Sequence, residues 1–153
     1  MQENRNFFNA NEDKSYLLYL LKHKYIKGNT KLVKLIFLAN YLAKKKNQSK
    51  PFHYHFFNYK YGPYSKWIQN DINNLIISDL VGKSEKNSYY LTEKGKEVLS
   101  KLEDNLSEQK KNIIQKVIND YSDKKTKEIL DIVYNLDEYK STEYGEQIRL
   151  ENE

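Results

Sequence analysis

Apolar residues recur at helical spacing along most of this chain. Tyr16, Leu17, Leu20, Leu21 and Tyr25 predict a first helix that opens at Asp13, a capping residue, and runs to Tyr25. Gly28 ends it, and Asn29 or Thr30 caps the next. From Lys31 to Lys46 the stripe Leu32, Leu35, Ile36, Ala39, Leu42 and Ala43 is widened by Val33, Phe37 and Tyr41, which predicts the central core helix. Between Phe52 and Tyr61 the helical spacing stops. Aromatic residues in partial alternation predict a short strand or hairpin arm there. Pro63 stands where helices start and Ser65 offers a capping hydroxyl, so a third helix is expected from Tyr64 to Ile77, with Ile68, Ile72, Leu75 and Ile76 inward. Leu80–Lys83 and Tyr89–Leu91 flank a polar tip and read as a β-hairpin. Thr92 caps a fourth helix through Leu99 and Leu102. Ser107 and Asp123 cap two more, with narrow apolar faces at Ile113, Ile114, Val117, Ile118 and at Ile129, Leu130, Val133. The segment Glu146 to Glu153 is expected to fray at its end.

This pattern predicts a mainly α (α+β) protein with a first domain over 1–104 and a helical extension over 105–153. The extension either packs on the first domain or pairs two copies, and a homodimer is the expectation. Composition narrows the class. The 21 aromatics are too many for a disordered chain, and the absence of Cys excludes disulfides, thiolate metal sites and a cysteine nucleophile. No apolar run approaches the ~20 residues of a membrane span, so a cytoplasmic protein is expected.

Charge is distributed unevenly. Residues 1–66 carry 13 Lys or Arg against 3 Asp or Glu, residues 67–104 carry 5 against 7, and residues 105–153 carry 8 against 11. A basic first part suits a polyanion, with nucleic acid the commonest partner and double-stranded DNA the one expected here, although Lys and Asn also accumulate when coding DNA is AT-rich. On the third helix, Lys66, Gln69, Asn70 and Asn73 share the face opposite the apolar stripe. Lys reaches phosphate or guanine, and the amides can bond adenine bidentately. The expected DNA-facing set adds Ser65 at the helix start, Lys31, Lys34 and Lys60 on phosphates, and Lys83, Lys86 and Asn87 on the hairpin. Lys outnumbers Arg 24 to 2, which weakens guanine readout. The seven aromatics from Phe52 to Tyr64 suit core better than a base-stacking platform. His53 and His55, with only His23 and Asp71 as further candidates, fall short of a metal set. No phosphate loop, catalytic triad or zinc-protease helix is present, so neither an enzyme nor a cofactor is expected.

Two resemblances follow from particular residues. Ile72–Val81, then Tyr89-Tyr90-Leu91-Thr92-Glu93-Lys94-Gly95, resembles the recognition helix and wing of winged helix-turn-helix regulators. It departs at Ser78-Asp79, where those proteins place a glycine. The resemblance implies a winged helix with a short β-hairpin wing and a role in transcription regulation. More narrowly, Lys31-Leu32-Val33-Lys34-Leu35-Ile36-Phe37-Leu38 followed by Tyr59-Lys60-Tyr61-Gly62-Pro63-Tyr64-Ser65 is similar to the Panacea domain, the SocA-like antitoxin domain. That resemblance spans roughly Tyr16 to Leu102. It implies action by binding, with a toxin-like protein as a partner for some members. Sequence thus offers a DNA-binding regulator first and an antitoxin-type interaction module second.

Overall fold

A computed structural model describes residues 5–150. It is mainly helical, with two small antiparallel sheets. Helix α1 spans Phe7–His23, strand β1 Ile26–Lys27 and α2 Asn29–Lys45. A hairpin of β2 (Phe56–Tyr59) and β3 (Gly62–Tyr64) precedes α3 (Lys66–Ile77). A second hairpin, β4 (Val81–Lys83) with β5 (Ser88–Leu91), leads into α4 (Glu93–Leu102). Then come α5 (Glu108–Tyr121), α6 (Thr126–Tyr134), the short α7 (Asp137–Lys140) and β6 (Gln147–Ile148). The strand orders are β1-β5-β4 and β3-β2-β6.

Helix α2 is the core helix that its stripe predicts. From Leu32 to Asn40 every residue is buried, and α5, α6 and strand β3 pack against it. Asn40 inside it is satisfied by the backbone of Phe52, donating to the carbonyl at 3.0 Å and accepting from the N–H at 3.1 Å. Two buried polar bonds therefore fix the chain segment that enters the first hairpin.

Several boundaries differ from expectation, each for a physical reason. Helix α1 starts at Phe7 because Asn6 caps it, accepting from the Asn9 N–H at 2.8 Å. Asp13 is therefore interior and buried, while Tyr25 lies beyond the helix and is exposed. Pro63 belongs to β3 rather than to a helix start, opposite Asn58 on β2. β3 is an edge strand, where a missing N–H costs no ladder bond. Asp123 does not cap α6. It pairs with Lys24 at 2.6 Å, and the Glu128 carboxylate instead accepts from the Lys125 N–H at the helix start.

The chain stays docked as far as Leu150, and the fraying expected at its very end falls on 151–153, outside the described residues. β6 pairs with β2, and Ile148 and Leu150 are both buried. The apolar faces of α5 and α6 that a homodimer would have used are docked within the chain. Ile113, Ile114, Val117, Ile118, Ile129 and Val133 are at most 2% exposed and lie in one core with α1 and α2.

Caps and close approaches hold the second hairpin to its helices. The Thr92 hydroxyl accepts from the Gly95 N–H at 2.9 Å and donates to the Asp79 carbonyl at 2.6 Å. Gly95 lies against the Leu80 carbonyl so closely that a Cβ would fall 2.1 Å from that oxygen. Where winged-helix regulators place glycine, Asp79 takes the left-handed conformation (φ 62°), and Asp79 and Leu80 donate back to Ile76 and Leu75.

Candidate functional site

Helix α3 turns a polar face to solvent. Its buried side chains are Ile68, Asp71, Ile72 and Leu75, which leaves Lys66, Asn70 and Asn73 exposed. Gln69 is half-buried and donates to Asn73 at 2.9 Å, so two of the amides expected to read bases are bonded to each other. Ser65 is buried at the helix start without capping it through its side chain. On the second hairpin, Lys83 lies over the Tyr89 ring, while Lys86 and Asn87 occupy the exposed tip. Asn87 has φ 63°, and its carbonyl accepts from the Gly28 N–H at 2.9 Å, tying the tip to the entrance of α2.

The lysines expected on phosphates divide. Lys60 is exposed at the first hairpin's turn, over the Tyr61 ring. Lys31 is half-buried and donates to the Ser122 carbonyl; burial pulls its pKa down, with Asp123 opposing. Lys34 is 2% exposed and donates to the Pro63 carbonyl at 2.7 Å. It presents no charge on an open face. The α3 set and the hairpin-tip set are thus solvent-facing, whereas Lys31 and Lys34 turn inward.

The first hairpin carries a surface that the sequence pattern left inside the core. Phe52, Tyr54, Phe56 and Phe57 are buried as expected, with Phe56 edge-on to Phe37 at 5.2 Å. The last aromatics are not: Tyr59 is 39% exposed and Tyr61 61%. A two-residue turn, Lys60-Tyr61, joins the strands, and Gly62 supplies its positive φ of 89°. The Tyr59 ring lies 6.1 Å from Tyr64 and 6.1 Å from Tyr144, itself 72% exposed. Asn58 positions that distant residue. It bonds the backbone of Gly145 and Glu146, and its amide donates to the Thr142 carbonyl at 2.7 Å. Tyr59, Tyr61, Tyr64 and Tyr144 therefore bring a cluster of tyrosines to one end of the sheet. A cavity of about 180 Å³ opens at its foot, lined by Thr30, Lys34, Tyr59, Tyr61, Gly62 and Tyr64 among others.

A buried polar cluster braces α3 from behind. The Arg5 guanidinium bonds Asp13 at 2.9 Å and both oxygens of Asp71, and lies 5.3 and 5.0 Å from the Tyr54 and Trp67 rings. Tyr54 donates its hydroxyl to Asp71, and the His53 N–H donates to Asp13 at 2.7 Å. Burial pushes the Asp13 carboxyl up to about 6, against the His53 N–H and Arg5. Burial also holds the Tyr54 hydroxyl well above its ordinary range. One sequence signal pointed here. In a chain with 24 Lys, an Arg marks a place where a planar, bidentate cation is required.

Among the described residues, no three His, Asp or Glu side chains assemble as a metal site, and His53 pairs with Glu12 at 2.9 Å. No helix among those residues is long and apolar enough to cross a membrane. A family model described as antitoxin SocA-like, Panacea domain, matches residues 32–140. That span includes most of α2, both hairpins, α3 and the helices through α7. No curated protein and no solved structure matches the chain.

Proposed function

The chain belongs to the antitoxin SocA-like, Panacea domain family, and from that premise we propose that it is an antitoxin-type module that acts by docking on a partner protein rather than by catalysis. The observation that carries this reading is the tyrosine cluster at the first hairpin. Tyr59, Tyr61 and Tyr144 are large, partly apolar and exposed, and they are held in place by two strands and by Asn58. Tyrosine gives rigid contact area at low entropic cost and is enriched among residues that dominate protein interfaces. A cluster of exposed aromatic side chains held at one sheet end is a feature a protein partner would bury.

The test is co-expression with the products of the neighbouring genes. A growth-arresting product that this chain neutralises, and with which it co-elutes as one complex, is the expected result. If none of them binds while duplex DNA is retarded at low salt, the docking reading falls.

Duplex-DNA binding is the second reading. The order α1, β1, α2, α3, β4, β5, with β1 on β5, is consistent with a winged helix in which the first hairpin is inserted before α3. The exposed Lys66, Asn70 and Asn73 on α3, with Lys83 and Lys86 on the wing, favour it. The inward turn of Lys31 and Lys34 removes two of its expected phosphate contacts.

A further inference from the structure

The polar side chains of α2 that line the tyrosine-lined cavity include Asn29, whose Oδ1 is buried without a hydrogen-bond partner among the described residues, and Lys34, which carries a buried charge. Its Nζ reaches the Pro63 carbonyl at 2.7 Å, and no carboxylate among the described residues lies within ion-pair distance. Elsewhere among the described residues buried charges meet opposite ones: Arg5 lies between two carboxylates, and the carboxylate of Glu138 meets Lys44 at 3.2 Å and Lys45 at 3.0 Å. An ammonium with one carbonyl partner and no countercharge is costly to bury, and such groups are usually paired. Burial pushes Lys34 down to about 8, so it still carries its proton at neutral pH.

We propose that the cavity over Lys34 takes one carboxylate of the docked partner, an Asp or Glu side chain entering beside Tyr59, Tyr61 and Tyr64. This rests on the docking reading and names the chemistry of its anchor. The volume of about 180 Å³ admits a carboxylate on a short stem. Gly62 helps keep that space, because a Cβ there would lie 3.1 Å from the Tyr134 ring and 3.5 Å from the Lys34 stem. The ammonium can donate to the incoming carboxylate while keeping its bond to Pro63, since it has three protons. A carboxylate on a flexible side chain can enter such a recess. A phosphodiester, embedded in a duplex backbone on both sides, is less suited to it.

The test uses the full chain labelled with ¹³C at the lysine ε-carbons, titrated with the capped tripeptides acetyl-Gly-Glu-Gly-amide and acetyl-Gly-Gln-Gly-amide and with inorganic phosphate. The Glu peptide should move the Lys34 signal saturably and bind about tenfold or more tighter than the Gln peptide, because a charged hydrogen bond is replaced by a neutral one. Lys34→Met should abolish the preference with its circular dichroism unchanged. Tyr61→Ala, at an exposed position that leaves the fold intact, should weaken it even if the Met variant misfolds. Equal binding of the two peptides, an unmoved Lys34 signal, or phosphate binding as tightly as the Glu peptide would overturn the proposal. The two readings fail separately. A chain that takes the Glu peptide but no partner protein defeats docking, and a Lys34→Met variant that holds a partner at full strength defeats the carboxylate anchor.

Discussion

Arg5 is shared by Asp13 and Asp71, so with all three groups ionised this buried cluster holds one negative charge more than positive. Burial beside this surplus pushes the Asp13 carboxyl up to about 6, so it takes up a proton as pH falls toward that value. The unfolded chain loses that proton near its ordinary 3.8, so between about pH 4 and 6 the folded state binds more protons than the unfolded one. The Asp13 contribution must then fall as pH rises through this interval, by up to about 3 kcal/mol. Urea unfolding from pH 4 to 7 should show this as a difference between the parent and Asp13→Asn, whose own profile lacks that slope. Identical profiles would refute the assignment. Beyond the rarity of Arg, little of this was legible in the sequence, where Asp13 stood as a helix cap. Its partners come from Arg5, His53 and, through Arg5, Asp71 on α3, and helical periodicity carries no information about such distant contacts.

At the level of elements, features made by neighbouring residues were readable and those settled by distant packing were not. The Thr92 cap, the helix after it and the second hairpin emerged from local pattern, and the structure supplies the reason for the spacing. Thr92 caps Gly95, and Gly95 must lie on the Leu80 carbonyl. Thr92→Ala should cost about 1 kcal/mol. Gly95→Ala should cost about 3 kcal/mol, the upper end for overpacking, because the obstructing atom is backbone. Thermal melts that rank these two in the opposite order would contradict the account. Asp79→Gly should stabilise by about 1 kcal/mol, since Asp79 holds a left-handed conformation without strain only if Cβ is removed. By contrast, Pro63 is compatible with a helix start and with an edge strand alike. Only the pairing of β3 with β2 decides between them. The stripes on α5 and α6 likewise say that a face is buried, not whether this chain or a second copy buries it.

Across the whole molecule, the candidate site divides along the same line. The α3 face was found from its periodicity, and the structure leaves Lys66, Asn70 and Asn73 exposed. The tyrosine cluster was visible only as aromatic density, because its exposure depends on where β2 ends and on Tyr144 arriving from the far end of the chain. These are separate surfaces, so each can be disabled alone without touching the core. The decisive measurement is calorimetric titration of the neutralised partner against two variants, Tyr59→Ala/Tyr61→Ala/Tyr144→Ala and Gln69→Ala/Asn73→Ala. The tyrosine variant should bind at least about thirtyfold weaker, as expected if even one of the three is an interface anchor worth about 2 kcal/mol. The α3 variant should bind nearly as the parent does. Loss of partner binding on the α3 variant, with the tyrosine variant unaffected, would contradict it and move the docking face to α3.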